Sequence, residues 1–318
     1  MSHDVFTLGE AMLRLSPPAG VPLDSTALLD LHVAGSEANV AVALAALDRS
    51  VAWYSKLPEN RLGRRVARDL RAAGVDLSMA EWLTEGRLGT YFVELDNGPR
   101  GTSVIYDRRG SAASRMTPDD VPWEAVAGAR VVHLSGITPA LSDSCRDTTL
   151  AVAEAAKASA SLVSLDVNHR ARLWGQETAR TVLSKLAEGV DLLICTREDA
   201  LTVFGISSPP GDAALELADM LDSSNVVVTE GPGGAVLARD GSTLQVPARP
   251  TMIVDRLGAG DAFAAGLLDG LLDGDIEAGM QRGVALAAVA LATSGDQVRI
   301  DRRELDHILT GRERGVDR

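Results

Sequence analysis

Val254-Asp255-Arg256-Leu257-Gly258-Ala259-Gly260-Asp261-Ala262-Phe263 is the stretch on which the fold turns. Residues 251–254 read as a strand, and residues 262–272, small and apolar, read as a helix, with the glycines between them. Gly258 and Gly260 let the backbone turn sharply and come close to a ligand. Their amide hydrogens, with those of Ala259 and Asp261, converge at the positive end of the following helix, where an anion binds readily. Asp261 is the anomalous member, because a carboxylate repels a phosphate. It fits if it takes a proton from a hydroxyl attacking that phosphate. The competing reading is a helix N-cap beside a tight turn.

Outward from this stretch, composition limits what the anion can be. The chain has 318 residues, enough for one large α/β domain or two ordinary ones. Hydrophobic residues make up 46% but aromatics only 3%, so the core is built from Ala, Val and Leu and little surface is left for stacking bases. A net charge of -13 argues against nucleic-acid or anionic-membrane binding, although clustered arginines can still hold a small anion. The cysteines, Cys145 and Cys195, form no C-x-x-C and fit a reducing cytosol. No leader segment or membrane-length apolar run is visible, and a cytoplasmic location is expected. The histidines are scattered, with no zinc-binding pair among them.

The rest of the chain alternates. Residues 5–8 and 51–55 read as strands, and 63–73 as a helix ended by Gly74. From Arg130 onward strands are expected at 131–134, 162–167, 192–195 and 225–229, with helices at 145–159, 177–188, 198–204 and 213–221. Such alternation implies one domain with a mostly parallel sheet, helices on both faces and functional loops at the carboxyl ends of the strands. Two regions break the pattern. Pro17, Pro18, Gly20 and Pro22 mark an irregular stretch. Residues 91–95 and 102–106, flanking Asp96-Asn97-Gly98-Pro99, read as a β-hairpin without a helix. The last segment, 301–318, is charged, helical at its start and frayed at its end.

Several motifs have two readings. Gly35-Ser36-Glu37-Ala38-Asn39 opens an apolar, buried helix; Ser36 or Asn39 caps it, which the local pattern favours, or faces a small polar ligand. Thr229-Glu230-Gly231-Pro232-Gly233-Gly234 resembles a dinucleotide loop, but residues 235–238 read as a strand and not the helix such a loop needs. These glycines are either a plain hairpin turn or backbone lining a nucleotide's phosphates. The sequence G-x-x-x-x-G-K followed by Ser or Thr is absent, which excludes a Walker-type P-loop. Asp269, Asp273 and Asp275 lack the Gly and Glu of a calcium loop and read as a solvated helix end capped by Gly274. Asp166-Val167-Asn168-His169-Arg170 lies at a strand's carboxyl end, where Arg170 either grips a carboxylate or phosphate or forms a surface ion pair; Arg108 and Arg109 have the same two readings.

Together these pieces resemble the PfkB, or ribokinase-like, carbohydrate kinases over essentially the whole chain. The early Gly35–Asn39 segment and the late Gly258-Ala259-Gly260-Asp261 carry the resemblance. Within the family the chain is most similar to the 2-keto-3-deoxygluconate kinase branch, through Arg109-Gly110-Ser111-Ala112-Ala113-Ser114, Leu134-Ser135-Gly136-Ile137-Thr138-Pro139-Ala140-Leu141 and Ser164-Leu165-Asp166-Val167-Asn168-His169-Arg170. The resemblance implies a ribokinase-like three-layer sandwich spanning residues 1–318 as one domain. A small β lid, formed by about 11–34 and 88–110, would close over the sugar and help subunits associate into a homo-oligomer. It implies ATP and Mg2+, leaves K+ open, and makes Asp261 the general base beside an anion hole at Gly258, Ala259 and Gly260. Sugar contacts would come from Gly35, Ser36, Asn39, Tyr91, Tyr106, Arg108, Arg170 and Asp296. Nucleotide contacts would come from Asn168, Arg170, Thr229, Gly231, Gly233, Gly234, Gly258 and Gly260. Arg108 and Arg170 suit a sugar acid, so the expected reaction is phosphorylation of the terminal hydroxyl of 2-keto-3-deoxygluconate. The alternatives are fructose, ribose or 5-dehydro-2-deoxygluconate as substrate, or a non-catalytic binding protein. The chain departs from the family pattern at Arg256, where Thr is usual. It departs again at Thr196-Arg197-Glu198-Asp199, which replaces Asn-x-x-Glu and leaves Asp199 for a water-mediated contact to Mg2+. At Asp107 an acid stands where related kinases carry tyrosine.

Overall fold

The computed structural model describes residues 2–95, 101–159 and 161–311. The strands are β1 (Val5–Leu8), β2 (Met12–Ser16), β3 (Asp30–Ala34), β4 (Val51–Tyr54), β5 (Lys56–Pro58), β6 (Glu81–Leu83), β7 (Thr90–Glu94), β8 (Ser103–Asp107), β9 (Val131–Ser135), β10 (Leu162–Asp166), β11 (Leu192–Thr196), β12 (Asn225–Thr229), β13 (Ala235–Arg239) and β14 (Ser242–Val246). The helices are α1 (Ser36–Ala46), α2 (Arg61–Ala72), α3 (Trp123–Gly128), α4 (Asp143–Ala158), α5 (Gln176–Ala187), α6 (Arg197–Phe204), α7 (Pro210–Leu221), α8 (Ala259–Leu272), α9 (Ile276–Leu291) and α10 (Arg302–Thr310).

Eight strands form the main sheet in the order β14-β13-β12-β11-β10-β9-β1-β4. It is parallel from β4 to β12 and antiparallel through the last two strands. Successive side chains of each parallel strand leave on opposite faces, so both faces must be covered. Val5, Val131 and Leu192 point into a core shared with α1, α8 and α9. Their neighbours Phe6, Val132 and Leu193 point into a second core with α4, α5, α6 and α7. The layered α/β class expected from the alternation is what the chain adopts.

A second sheet, β3-β2-β7-β8, stands apart from the main one. It pairs the hairpin of β7 and β8 with the strands flanking the proline-rich stretch. The Asp96-Asn97-Gly98-Pro99 link lies outside the described residues, as do residues 312–318. Among the described residues, no helix is long and apolar enough to cross a membrane.

Two expectations need correction. Residues 251–254 are not a strand. Met252 and Val254 are exposed, and the amides of Val254 and Asp255 bond to the Leu291 carbonyl at the end of α9, at 2.7 and 3.2 Å, and not to a neighbouring strand. Of the three acids read as a solvated helix end, Asp273 and Asp275 are exposed, but Asp269 is not. Asp269 is fully buried and accepts from Arg49, Arg282 and Arg302 at 2.5–2.7 Å, clamping α8 to the loop after α1, to α9 and to α10. Those arginines lie far from Asp269 in sequence, which hid the clamp. α8 is further fixed by close helix packing: a Cβ added at Gly266 would come within 2.3 Å of the Gly283 amide nitrogen.

Candidate active site

The glycine turn and the early glycine segment meet. Gly258 forms the N-cap of α8 at φ 81, a left-handed conformation suited to glycine. The amides of Ala259, Gly260 and Asp261 fall in the first helical turn, where no helix carbonyl can accept them. Asp261 therefore sits inside the helix and is not its cap. Gly35 is the N-cap of α1, with no side-chain bond, so the capping reading of Ser36 and Asn39 is overturned. Both turn instead to the same partner: Ser36 Oγ donates to Asp261 Oδ1 and Asn39 Nδ2 donates to Asp261 Oδ2, each at 2.7 Å. A Cβ at Gly35 would lie 2.2 Å from the Glu10 carbonyl oxygen, so only glycine lets α1 start this close to the end of β1. Burial pushes the Asp261 carboxyl up to about 6. The bonds from Asn39 and Ser36 and the charge of Arg170 oppose that rise, and Asp296 adds to it.

Asn168 adjoins this cluster. It adopts a positive φ of 39° just past β10, and its Nδ2 donates to Ser36 Oγ at 3.0 Å and to Asp166 Oδ2 at 3.3 Å. Asp166 itself is pushed up to about 8 by burial and by the charges of Asp261 and Asp199, against the pull of Arg170. Asp199, in the first turn of α6, is also raised by burial, while its bond to Thr196 and the Arg170 charge lower it. The carboxylates thus converge on the carboxyl edge of β10 and β11, and exposed Arg170 is the cation that balances them.

Beside this edge opens a cleft of about 880 Å³, walled on one side by Tyr106, Arg108 and Arg109 and on the other by Arg170, Arg172 and Asp199. Four arginines thus line one cleft of an acidic protein, in excess over the Glu198 and Asp199 carboxylates that share its wall. Asp261 is not part of the cleft's wall; its link to the cleft is Arg170, whose charge acts on its carboxyl. Arg108 is not free: its Nε and Nη2 bond the buried Glu10 carboxylate at 2.7 and 2.5 Å, and its guanidinium lies 5.8 Å from the Tyr106 ring centre. Tyr91 and Asp296 are also engaged, since the Tyr91 hydroxyl donates to Asp296 Oδ2 at 2.6 Å and both are buried. Thr229 ends β12, and Gly231–Gly233 form an exposed single turn leading to Gly234 and β13. The structure brings no hydrogen bond between this loop and the Asp261 cluster; Glu230 pairs instead with Arg197 at 3.2 Å.

The two departures in charge have simple outcomes. Asp107 is exposed at the end of β8, where it pairs with Arg87 at 2.6 Å and not with anything in the cleft. Arg256 is exposed, while Asp255 before it is fully buried. Sequence reasoning missed three residues here. Arg14 on β2 is fully buried and pairs with Asp255 and Asp296, both at 2.6 Å. Glu10 neutralises Arg108. Glu37 is buried on α1 with Oε1 accepting from Ser135 and Thr138, at 2.7 and 2.6 Å, and Oε2 unpartnered; burial raises its carboxyl. Glu37 belongs to the early glycine segment, yet only the fold shows that it bonds Ser135 and Thr138 and not the groups beside it expected to face the sugar. The one legible signal for Glu10 was its place at the carboxyl end of β1.

Comparison with known proteins bears on this geometry. The profile of the pfkB family carbohydrate kinases matches residues 2–302. A 2-dehydro-3-deoxygalactonokinase from Haloferax volcanii is 37% identical over 319 residues, covering 100% of both chains. A 2-dehydro-3-deoxygluconokinase from Thermoproteus tenax is 34% identical, covering 81% of this chain and 78% of its own. The crystal structure of a 2-dehydro-3-deoxygluconokinase from Thermotoga maritima superposes with a TM-score of 0.90 at 33% identity, covering 98% of this chain and 99% of that one.

Proposed function

The chain belongs to the pfkB family of carbohydrate kinases, and on that footing we propose that it phosphorylates a 2-keto-3-deoxy sugar acid on its terminal hydroxyl with ATP. The observation that carries this reading is a half-buried carboxylate, Asp261, at the anion-binding start of α8, next to a cleft walled by Arg108, Arg109, Arg170 and Arg172. The sugar's terminal hydroxyl attacks the γ-phosphorus of ATP; an O–P bond forms and the bond to the ADP oxygen breaks. The hydroxyl proton passes to Asp261, and Ser36 and Asn39 hold that carboxylate in place. With its carboxyl at about 6, Asp261 is ionised at neutral pH yet basic enough to accept the proton. The amides of Ala259 and Gly260 face the transferring phosphoryl group.

Arg170, exposed between the carboxylates and the cleft, is placed to hold the sugar carboxylate or a phosphate. Sugar contacts fall to Ser36, Asn39, Tyr106 and Arg170, with Arg108 reaching the ligand only as an ion pair with Glu10. Nucleotide contacts fall to Asn168, Thr229 and the Gly231–Gly234 turn at the next strand ends. Divalent cations take hard oxygen donors, and Asp166, raised by burial and by the charges of Asp261 and Asp199, would with Asp199 suit the Mg2+ that accompanies ATP. Bound there, the ion would screen the phosphate charge. On this reading the β3-β2-β7-β8 sheet acts as a lid over the sugar and as a surface for subunit association. The Haloferax volcanii relative is named for the galactonate epimer and the other two for the gluconate, so both epimers belong in the test.

The experiment is a coupled ADP-release assay over 2-keto-3-deoxygluconate, 2-keto-3-deoxygalactonate, 5-dehydro-2-deoxygluconate, fructose and ribose, with thermal melting in parallel. Turnover restricted to the keto-deoxy acids supports the proposal. Far better turnover of fructose or ribose sinks the substrate assignment, and melting shifts without turnover by any sugar favour a binding protein.

A further inference from the structure

The outer sheet carries a cross-strand row of which the proposed chemistry uses only the outermost member, Tyr106. Arg14 on β2 is in register with His32 on β3 and with Tyr91 on β7, and Tyr91 with Tyr106 on β8. Register partners share a face of a sheet. Three members of this row reach the main body at residues 295–296, and Arg14 reaches Asp255 as well. Arg14 Nη1 and Nη2 reach Asp296 and Asp255, and its Nε donates to Ser16 Oγ at 2.9 Å, so the guanidinium is fully buried with each nitrogen engaged. The Tyr91 hydroxyl takes the other oxygen of Asp296. The His32 ring covers Gly295, whose added Cβ would meet Nδ1 at 2.9 Å.

Those two places frame the glycine turn. Asp255 Oδ1 accepts from the Leu257 amide at 3.0 Å and Oδ2 from the Gly295 amide at 3.2 Å, tying the turn to the loop after α9. The backbone of Asp296 lies directly on Gly258: a Cβ there would come within 2.1 Å of the Asp296 carbonyl oxygen. The N-cap of α8 is therefore seated on a residue whose side chain is held by the outer sheet. Arginine suits this place because a planar fork can bridge two carboxylates, which a single ammonium cannot.

We propose that Arg14 is a positioning residue: through Asp255 and Asp296 it couples the outer sheet to the anion-binding turn and sets where the amides of residues 259–261 point. The inference rests on the kinase reading only for its kinetic consequence. Displacement of the outer sheet shifts Asp296, and with it Gly258. A misplacement of about 1 Å at a reacting site costs roughly 10²-fold in rate.

The test compares wild type, Arg14→Ala and Arg14→Lys by hydrogen exchange and turnover. The expected result is faster exchange in residues 254–263 and 293–298 of both variants, with the strands from β9 to β12 as protected as in wild type. Turnover number should fall roughly 10²-fold in Arg14→Ala and less in Arg14→Lys, with the sugar KM little changed. Guanidinium ion at sub-denaturing concentration should restore part of the rate and of the protection in Arg14→Ala, and K+ should not. Should Arg14→Ala not fold, Arg14→Lys, which keeps the charge, decides. Unchanged exchange in residues 254–263, uniform loss of protection across the main sheet, or a wild-type turnover number in Arg14→Lys overturns the proposal. Absence of turnover by wild type itself overturns the kinase reading instead, and the exchange measurement still reads the coupling.

Discussion

Asp261→Asn separates the two roles that a carboxylate can have at the start of α8. The substitution removes charge and keeps shape. Ser36 can still donate to the asparagine oxygen. Asn39 must rotate its amide, and its Oδ1, unpartnered in wild type, is then positioned to accept from the new Nδ2. The folded carboxyl lies at about 6 against an ordinary 3.8. At about 1.4 kcal/mol per pKa unit that is about 3 kcal/mol, an upper bound for a side chain that keeps some solvent contact. The folded state holds the proton more tightly than the unfolded state. Its stabilising effect is complete below pH 3.8 and is lost as pH rises through 6. Asp261→Asn should therefore match wild type in acid and exceed it in denaturant stability at pH 8 by up to about 3 kcal/mol. At the same pH its turnover number should drop by about 10²–10⁴-fold, the usual contribution of a general base. Wild-type kcat/KM should climb to a plateau with a midpoint near pH 6. A variant that is less stable than wild type at pH 8, or that keeps its turnover number within tenfold, refutes the assignment of Asp261 as a strained base.

Three further substitutions probe the frame. Asp269→Leu leaves Arg49, Arg282 and Arg302 without their shared partner, and removing one side of a buried pair costs about 3–5 kcal/mol in equilibrium denaturation; a loss below 1 kcal/mol would mean that the cluster is merely solvated. Gly258→Ala places a methyl group against the Asp296 backbone at a positive φ; it should lower kcat more than it raises either KM, and wild-type kinetics would show that the turn tolerates displacement. Arg170→Ala removes the cation facing Asp166, Asp199 and Asp261, so KM for the sugar acid or ATP should rise about 10-fold, the worth of one charge-assisted bond; unchanged constants would leave Arg170 as a solvated cation.

The strands and helices from β9 to β12 were readable because each buried strand announces itself as a short apolar run between helical stretches. The Gly258-Ala259-Gly260-Asp261 turn was readable because glycine and acid requirements are local. The residues that seat it were not. Arg14 occupies an alternating strand in which a charged residue ordinarily faces water, and its partners lie at positions 255 and 296. Asp269 reads as one of several acids near a helix end until α10 folds back to bring Arg302 against it. Residues 251–254 have strand composition, yet their amides answer to the end of α9. Tyr91 and Asp296 were expected to contact the sugar, and only the fold shows that they hold each other. Buried ion pairs between distant segments leave no periodic trace, because neither partner's neighbours reveal the other.

On the proposed reading, a cleft of arginines recognises an acid that is phosphorylated with Asp261 as base. The ratio of kcat/KM for 2-keto-3-deoxygluconate or 2-keto-3-deoxygalactonate to that for fructose, measured with MgATP on the intact protein, tests it most directly. A charge-assisted contact contributes about 1.5–3 kcal/mol, so a ratio of roughly 10–100 in favour of the acid is expected, with the preference reduced in Arg170→Ala. A ratio at or below one would contradict the account.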